Sequence, residues 1–310
     1  MVRGKPAITI QTRKTTAVLM GILLFLLGFA PVATACTLWG AAGERVEGGG
    51  TLIAKNRDWT PTQVQELRRV IPKEGFRYLG LFATDEEGTG LKAGINEKGL
   101  VVVTATASVV PREKRKSQND NGISSAEILK TCTTVDEVLG QIDRFSYAAY
   151  YLVADKAKVA VIEVGPGGKA TARVTQNGSL AQTNHYLDEQ LRILNRKVPH
   201  SSWERYERIR ELLTRDADGY SLEDFISFSE DRHAGPDDSI YRTGGSPTRS
   251  RTLATWIVEN PACGAPVLYL KVANPNEPQR TIRLSLDENF WKGAPRGERA
   301  AGVAGEKPSA

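Results

Sequence analysis

One residue of this 310-residue chain could carry out chemistry largely by itself. Cys36 follows a small-residue stop, Val32-Ala33-Thr34-Ala35, and opens the segment CTLWGAAGERVEGGGTLIAKNRDW. Cleavage after Ala35 would make it the first residue of a mature chain, with a thiol and a free α-amino group on the same residue. Such an amine can take the thiol proton without a distant histidine. A free α-amino group titrates at about 7.7–8, so it is suited to act as a base near neutral pH.

The preceding residues predict that cleavage. Arg3, Lys5, Arg13 and Lys14 form a basic start with no acidic residue, and Ala17 to Ala30 is apolar but short for a bilayer span. Ala33-x-Ala35 is a small-x-small cleavage pattern. Residues 1–35 are therefore expected to be a secretory signal, with the protein periplasmic or secreted and no stable membrane insertion after cleavage. The basic stretch is long, which leaves a start codon further downstream open. An uncleaved membrane anchor is a second reading, against which no stop-transfer pattern follows. A third makes Cys36 the acylated residue of a non-catalytic lipoprotein. Against it, position 33 is Ala rather than a large aliphatic residue, and Thr37-Leu38-Trp39 leaves no polar tether.

Without the signal the charge argument changes. The whole chain has 41 Lys+Arg against 36 Asp+Glu, and losing four basic residues leaves 37 against 36. A near-neutral protein gives no reason to expect nucleic acid as a partner. The basic run Arg112-Glu113-Lys114-Arg115-Lys116 continues into SQNDNG and reads as a solvated loop. Residues 36–292 are expected to form one enzyme-sized domain, and 293–310, rich in Gly, Ala and Pro, a flexible tail. No Cys/His cluster has metal-ligand spacing, so neither metal nor cofactor is expected. Cys132 and Cys263 could be bridged in an oxidising compartment or stay free, and their spacing does not decide. A homo-oligomer is equally open.

The elements that must position Cys36 come in blocks. Strands are predicted over Thr37–Ala42, Thr51–Ala54, Glu66–Pro72, Arg77–Thr84, Lys92–Asn96 and Gly99–Val110, joined by turn sequences such as Asn96-Glu97-Lys98-Gly99. Ser124-x-x-Glu127 caps a first helix, and a second is predicted over Val135–Ile142. Strands return at Ala149–Val153 and Val159–Val164, whose unbroken apolar character suggests cover on both faces. Ser201-x-x-Glu204 predicts a helix with Trp203, Tyr206, Ile209 and Leu213 on its core stripe, and Ser221-x-x-Asp224 predicts another. Thr252–Val258, Pro266–Val272 and Thr281–Leu286 close the chain as strands. Strand and helix blocks in this order suit an α+β sandwich.

Cys36 with Ala54-Lys55-Asn56-Arg57-Asp58-Trp59 resembles the start of the N-terminal-nucleophile hydrolases that cut linear amides. These are the choloylglycine hydrolase and penicillin V acylase superfamily, with its acyl-CoA:6-aminopenicillanate acyltransferase and carcinine hydrolase-like branch. Gly94-Ile95-Asn96-Glu97-Lys98-Gly99-Leu100, Thr183-Asn184-His185, Arg205-Tyr206-Glu207-Arg208 and Ser250-Arg251-Thr252-Leu253-Ala254-Thr255 continue the resemblance in order. It implies a four-layer αββα sandwich and a small N-acyl amide as substrate. Cys36 would attack the carbonyl and form a thioester, which water resolves in a hydrolase and an amine in an acyltransferase. The resemblance also implies that Asp58 orients the α-amine and Asn184 donates to the oxyanion. Arg251, with Arg249 as a rival, would fix the Cys/Asp cluster. Two departures stand out. Lys55 occupies a position where bile-acid enzymes carry Arg, and Thr104-Ala105-Thr106 replaces their asparagine after the NEKGL turn, which leans toward the acyltransferase-like branch. His185 and His233 are expected to be structural or pocket-lining.

Overall fold

The computed structural model describes residue 1 and residues 35–85, 88–115, 122–214 and 218–293. The chain divides into Met1–Val32 and Ala33–Ala310, and the strands and helices below all belong to the second unit. The expected signal lies outside the described residues apart from residues 1 and 35, as does the expected tail beyond Gly293.

The first strand block is β1 (Ala35–Ala42), β2 (Gly50–Trp59), β3 (Val64–Val70), β4 (Tyr78–Asp85), β5 (Gly88–Asn96) and β6 (Val101–Thr106). Helices α1 (Arg112–Arg115), α2 (Ser125–Thr131) and α3 (Val135–Leu139) follow, then strands β7 (Ala149–Ala154), β8 (Val159–Val164), β9 (Ala170–Thr175) and β10 (Gly178–Gln182). Helices α4 (His200–Leu212), α5 (Leu222–Ser229) and α6 (Gly235–Asp238) precede β11 (Arg251–Pro261), β12 (Val267–Val272), β13 (Arg280–Ser285) and α7 (Glu288–Lys292).

The strands make two antiparallel sheets, ordered β10-β1-β2-β11-β12-β13 and β3-β4-β5-β6-β7-β8-β9. Three apolar clusters show how the layers stack. The first, with Leu38, Ile53, Val101, Val103, Leu152 and Trp256, fills the space between the sheets. A second joins the seven-stranded sheet to α2 and α3 through Val102, Val153, Ile128, Leu129 and Val138. The third joins the six-stranded sheet to α4 and α5 through Trp39, Leu52, Ile209 and Phe225. Three interfaces between four layers are the αββα sandwich, and they explain the apolar runs in the central strands, which are covered on both faces.

Local signals account for several boundaries. Ser124 and Thr134 cap α2 and α3, and Ser221 with Asp224 closes a full capping box on α5. At the β5–β6 hairpin, Gly99 has φ +89, and Asn96 Oδ1 accepts from the Lys98 and Leu100 amides.

Some expectations need correction. The strand expected to reach Val110 ends at Thr106, because Ser108 and Val110 turn back on Thr106 and Ala107. The helix expected to reach Ile142 stops at Leu139, and Ile142 opens a separate 3-10 turn. Strands β9 and β10 were not anticipated; their half-exposed, polar sequences lack the apolar runs of their neighbours. Helix α4 starts one residue before Ser201, with Pro199 at its N-cap and the Ser201 hydroxyl donating to Asp237 O. Its buried stripe is Ser202, Arg205, Ile209 and Leu212, while Trp203 is 47% exposed. Cys132 is a buried free thiol and Cys263 an exposed one.

Candidate active site

Strand register sets out the site. In the β1–β2 pair, Ala35 faces Asp58, Cys36 faces Arg57, and Leu38 faces Lys55. Side chains alternate across a strand. Cys36, Lys55 and Arg57 therefore point between the sheets, where Cys36 joins the apolar core at 3% exposure. Thr37, Asn56 and Asp58 point toward the helical layer. There Asn56 donates to Ser229 O and Ile240 O at 2.8 and 2.9 Å.

Asn184 lies in the loop between β10 and α4. Its Oδ1 accepts from the Cys36 backbone nitrogen at 2.8 Å, and its Nδ2 donates to Thr106 O at 2.9 Å. Its own amide is held by Ser202 Oγ at 2.9 Å. Arg205, fully buried on α4, donates to Cys36 O at 2.6 Å, Thr37 Oγ1 at 2.9 Å and Asn184 Oδ1 at 2.9 Å. The nucleophile candidate and the oxyanion candidate are thus joined directly and again through one guanidinium.

Asp58 is fully buried. Thr252 Oγ1 donates to its Oδ1 at 2.7 Å, across a β2–β11 register that shifts between Thr252 and Ala254. Its Oδ2 is buried with no hydrogen-bond partner among the described residues. An orphan buried acceptor is costly. This one is on the residue opposite Ala35, next to the bond whose cleavage would free an amine. Burial raises the Asp58 carboxyl above its usual range, opposed by the nearby charges of Arg242, Arg205 and Arg57. Arg242 is itself buried, with Nε and Nη1 unpartnered among the described residues.

Lys55 is buried and donates to Lys92 O at 2.7 Å and Thr104 O at 2.6 Å. Burial pulls it down to about 7 from 10.5, against the attraction of Cys36 and with repulsion from Arg57 and Lys92 added. Arg57 places Nη1 4.0 Å from Cys36 Sγ and 3.0 Å from Asp58 O, donates Nη2 to Gln63 Oε1, and stacks 4.5 Å over Trp59.

Strand register thus places Asp58 and Lys55 on β2 beside Cys36, and Asn184 is hydrogen-bonded to the Cys36 nitrogen. Arg251 has no hydrogen bond to Cys36, Asp58 or Asn184 among the described residues. Arg251 faces Trp59 in register, which sets it on the strand face opposite Asp58, and its Nη2 donates to Pro247 O at 3.3 Å. Arg249 is exposed. The cations around Asp58 are instead Arg205, Arg242 and Arg57, none of which had been given a role. For Arg205 a signal was present: an arginine at the i, i+4 spacing to Ile209 on an amphipathic helix. His185 is buried, bonded through Nδ1 to Ser202 Oγ at 2.9 Å, and lowered to about 4 by burial and then by Arg205. A neutral, wedged imidazole fits its structural reading. The His233 backbone amide donates to Asp231 Oδ1 at 3.1 Å. Among the described residues no His/Cys/Asp/Glu group could hold a metal.

The sequence model of the acyl-coenzyme A:6-aminopenicillanic acid acyl-transferase family matches residues 45–277. The chain belongs to this family. Asp58, Asn184, Arg205, Arg242 and Arg251 lie inside the matched range, and Cys36 lies just before it. Membership makes the protein an amide hydrolase or acyltransferase. Two solved structures of the conjugated bile acid hydrolase from Clostridium perfringens share the fold. Both are variants: one superposes with a TM-score of 0.50 at 14% identity, the other with 0.51 at 15%, and each match covers 80% of this chain and 92% of that one. At that identity the likeness is one of fold. No curated protein sequence matches the chain.

Proposed function

We propose that the protein is an exported cysteine N-terminal-nucleophile enzyme that cleaves the linear amide of a small N-acyl compound through a thioester on Cys36. The observation that carries the reading is the convergence on residue 36. Its nitrogen is held by Asn184 Oδ1 at 2.8 Å, its sulfur is near Arg57, and the unpartnered Asp58 Oδ2 belongs to the residue facing Ala35. Release of residues 1–35 turns the Cys36 nitrogen into an amine. That amine takes the thiol proton, the sulfur adds to the acyl carbonyl, and the protonated amine returns its proton to the departing nitrogen. Asn184 Nδ2 has a second hydrogen beyond the one given to Thr106 O, and this is available to the oxyanion. Water then resolves the thioester.

Transfer of the acyl group to an amine is the second reading, favoured by the acyltransferase family match; it uses the same residues. The lipoprotein reading has less support. The Cys36 sulfur is buried between the two sheets, and Thr37-Leu38-Trp39 continues the same strand directly, so no tether separates a lipid on residue 36 from the folded core.

The test combines intact mass of the purified protein with a panel of N-acyl amides. The expected result is a chain beginning at Cys36 that gains an acyl mass when quenched during turnover. Turnover retained by Cys36→Ala, or a diacylglycerol increment on Cys36, would refute the proposal.

A further inference from the structure

Asn184 can serve an oxyanion only if the nitrogen end of its amide faces the acyl carbonyl. Its two ends are nearly identical in shape, so something must prevent a half-turn about the terminal bond. The Thr106 carbonyl accepts from Nδ2 but constrains one hydrogen only. The Cys36 nitrogen donates to Oδ1, but in the mechanism that group becomes an amine whose protons move. Arg205 is the donor that does not change. It is always charged near neutral pH, fully buried, and fixed by Cys36 O and Thr37 Oγ1 while Nη2 donates to Asn184 Oδ1 at 2.9 Å.

We propose that Arg205 is a positioning residue that locks the Asn184 side-chain amide with Oδ1 inward and Nδ2 toward the oxyanion. A flipped amide would set its NH2 group against the guanidinium, donor against donor, and its oxygen against the Thr106 carbonyl, acceptor against acceptor. The first clash is buried, where an unpaired polar group is most costly, and the second is partly buried. The same guanidinium holds the carbonyl of residue 36, so the nucleophile and the oxyanion donor share one rigid reference. This assignment rests on Cys36 being the nucleophile and Asn184 the oxyanion donor.

A double-mutant cycle on kcat and KM, with an N-acyl amide that the protein turns over, tests it. Arg205→Lys keeps the charge but loses the planar fork. Alone it should lower kcat about 10- to 100-fold, within the range of coupled neighbours, with KM little changed. In an Asn184→Ala background, itself about 100- to 1000-fold slower, it should cost no more than about twofold. A merely structural strut predicts the same loss in both backgrounds, and that result overturns the proposal. So does a KM effect with kcat intact.

A second measurement does not depend on whether the variant folds. It is a crystal structure of the unsubstituted protein with an aldehyde that adds to the Cys36 thiol, the proton passing to the new oxygen. The expected adduct has that oxygen about 2.7–3.1 Å from Asn184 Nδ2, with Oδ1 still on Arg205. Oδ1 turned away from Arg205 refutes the lock. Failure of the underlying reading looks different: Cys36→Ala would then retain turnover and no adduct would form on sulfur.

Discussion

Replacing Asp58 with Asn separates what the carboxylate does for catalysis from what it does for the fold. In catalysis its charge would hold the Cys36 amine in place and stabilise it when protonated. Loss of a positioned acid–base partner lowers rates about 10²- to 10⁴-fold, equal to roughly 2.7–5.4 kcal/mol of barrier. The fold should be affected much less. The carboxyl is raised by burial even though Arg242, Arg205 and Arg57 all attract its charge, so the ionised form loses more in desolvation than those cations return. Asn keeps the shape and can still accept from Thr252 Oγ1, now at 2.7 Å from Oδ1. The melting temperature should therefore stay within about 2–4 °C, the shift that about 1 kcal/mol produces in a domain of this size.

The pH dependence has a definite sign in each measurement. A carboxyl raised in the folded state contributes stability that is complete below its unfolded value and is lost as pH rises through its folded value. Asp58→Asn should remove that loss. In kinetics, removing the anion makes the amine easier to deprotonate, so the acid limb of kcat/KM should move to lower pH. The assay is kcat/KM against pH on the purified variant, beside a thermal melt and an intact mass showing residue 36 unblocked. Turnover within tenfold of the parent, on a substrate that Cys36→Ala does not cleave, would refute the role given to Asp58. A collapsed melting temperature would refute the reasoning about burial.

Four other outcomes are expected. N-terminal sequencing of the exported protein should begin at Cys36 with a free amine. Cys36→Ser should fold but lose most amide cleavage, since a hydroxyl is a poorer nucleophile than a thiol at neutral pH; unchanged kcat would place the chemistry elsewhere. Asn184→Ala should lower kcat about 100- to 1000-fold and leave the acid limb where it is, because an oxyanion donor acts on developing charge and not on the base. For Lys55, lowered to about 7 by burial, the charged form favours the unfolded chain. Parent stability should gain from this residue as pH rises from about 7 toward 10.5, and Lys55→Met should flatten that gain in urea unfolding at pH 6.5 and 9.

How far the sequence revealed this architecture depends on which kind of signal each part leaves. The central strands declare themselves because β7 and β8 are buried along their whole length. Capping signals are plain at two helices and misplaced at a third: Ser124 and Ser221 each accept the backbone hydrogen bond that their position predicts, whereas Pro199 takes the place expected of Ser201. Edge strands leave much less. β9 alternates half-buried and exposed residues, and β10 is half-buried over Gly178 to Leu180, so neither shows an apolar run.

The site divides in the same way. Cys36, Asp58 and Asn184 could be named because each stands in a short string whose order along the chain carries a resemblance. Arg57, Arg205 and Arg242 stand out far less, because their place in the site is a matter of burial. Helix α4 shows why. Reading its apolar stripe from Trp203 and Tyr206 rotates the helix by about one residue and sends Ser202 and Arg205 to solvent. The fold does the opposite, burying both and leaving Trp203 half-exposed. Hydrophobic periodicity assumes that the buried face is the apolar one. That assumption breaks where a buried cation finds polar partners, here through three hydrogen bonds to Cys36, Thr37 and Asn184. Arg251 is the converse case. Its string resembles the family, but strand alternation sets its side chain on the face that carries Cys36 and Arg57 and away from Asp58, and only the β2–β11 register reveals that.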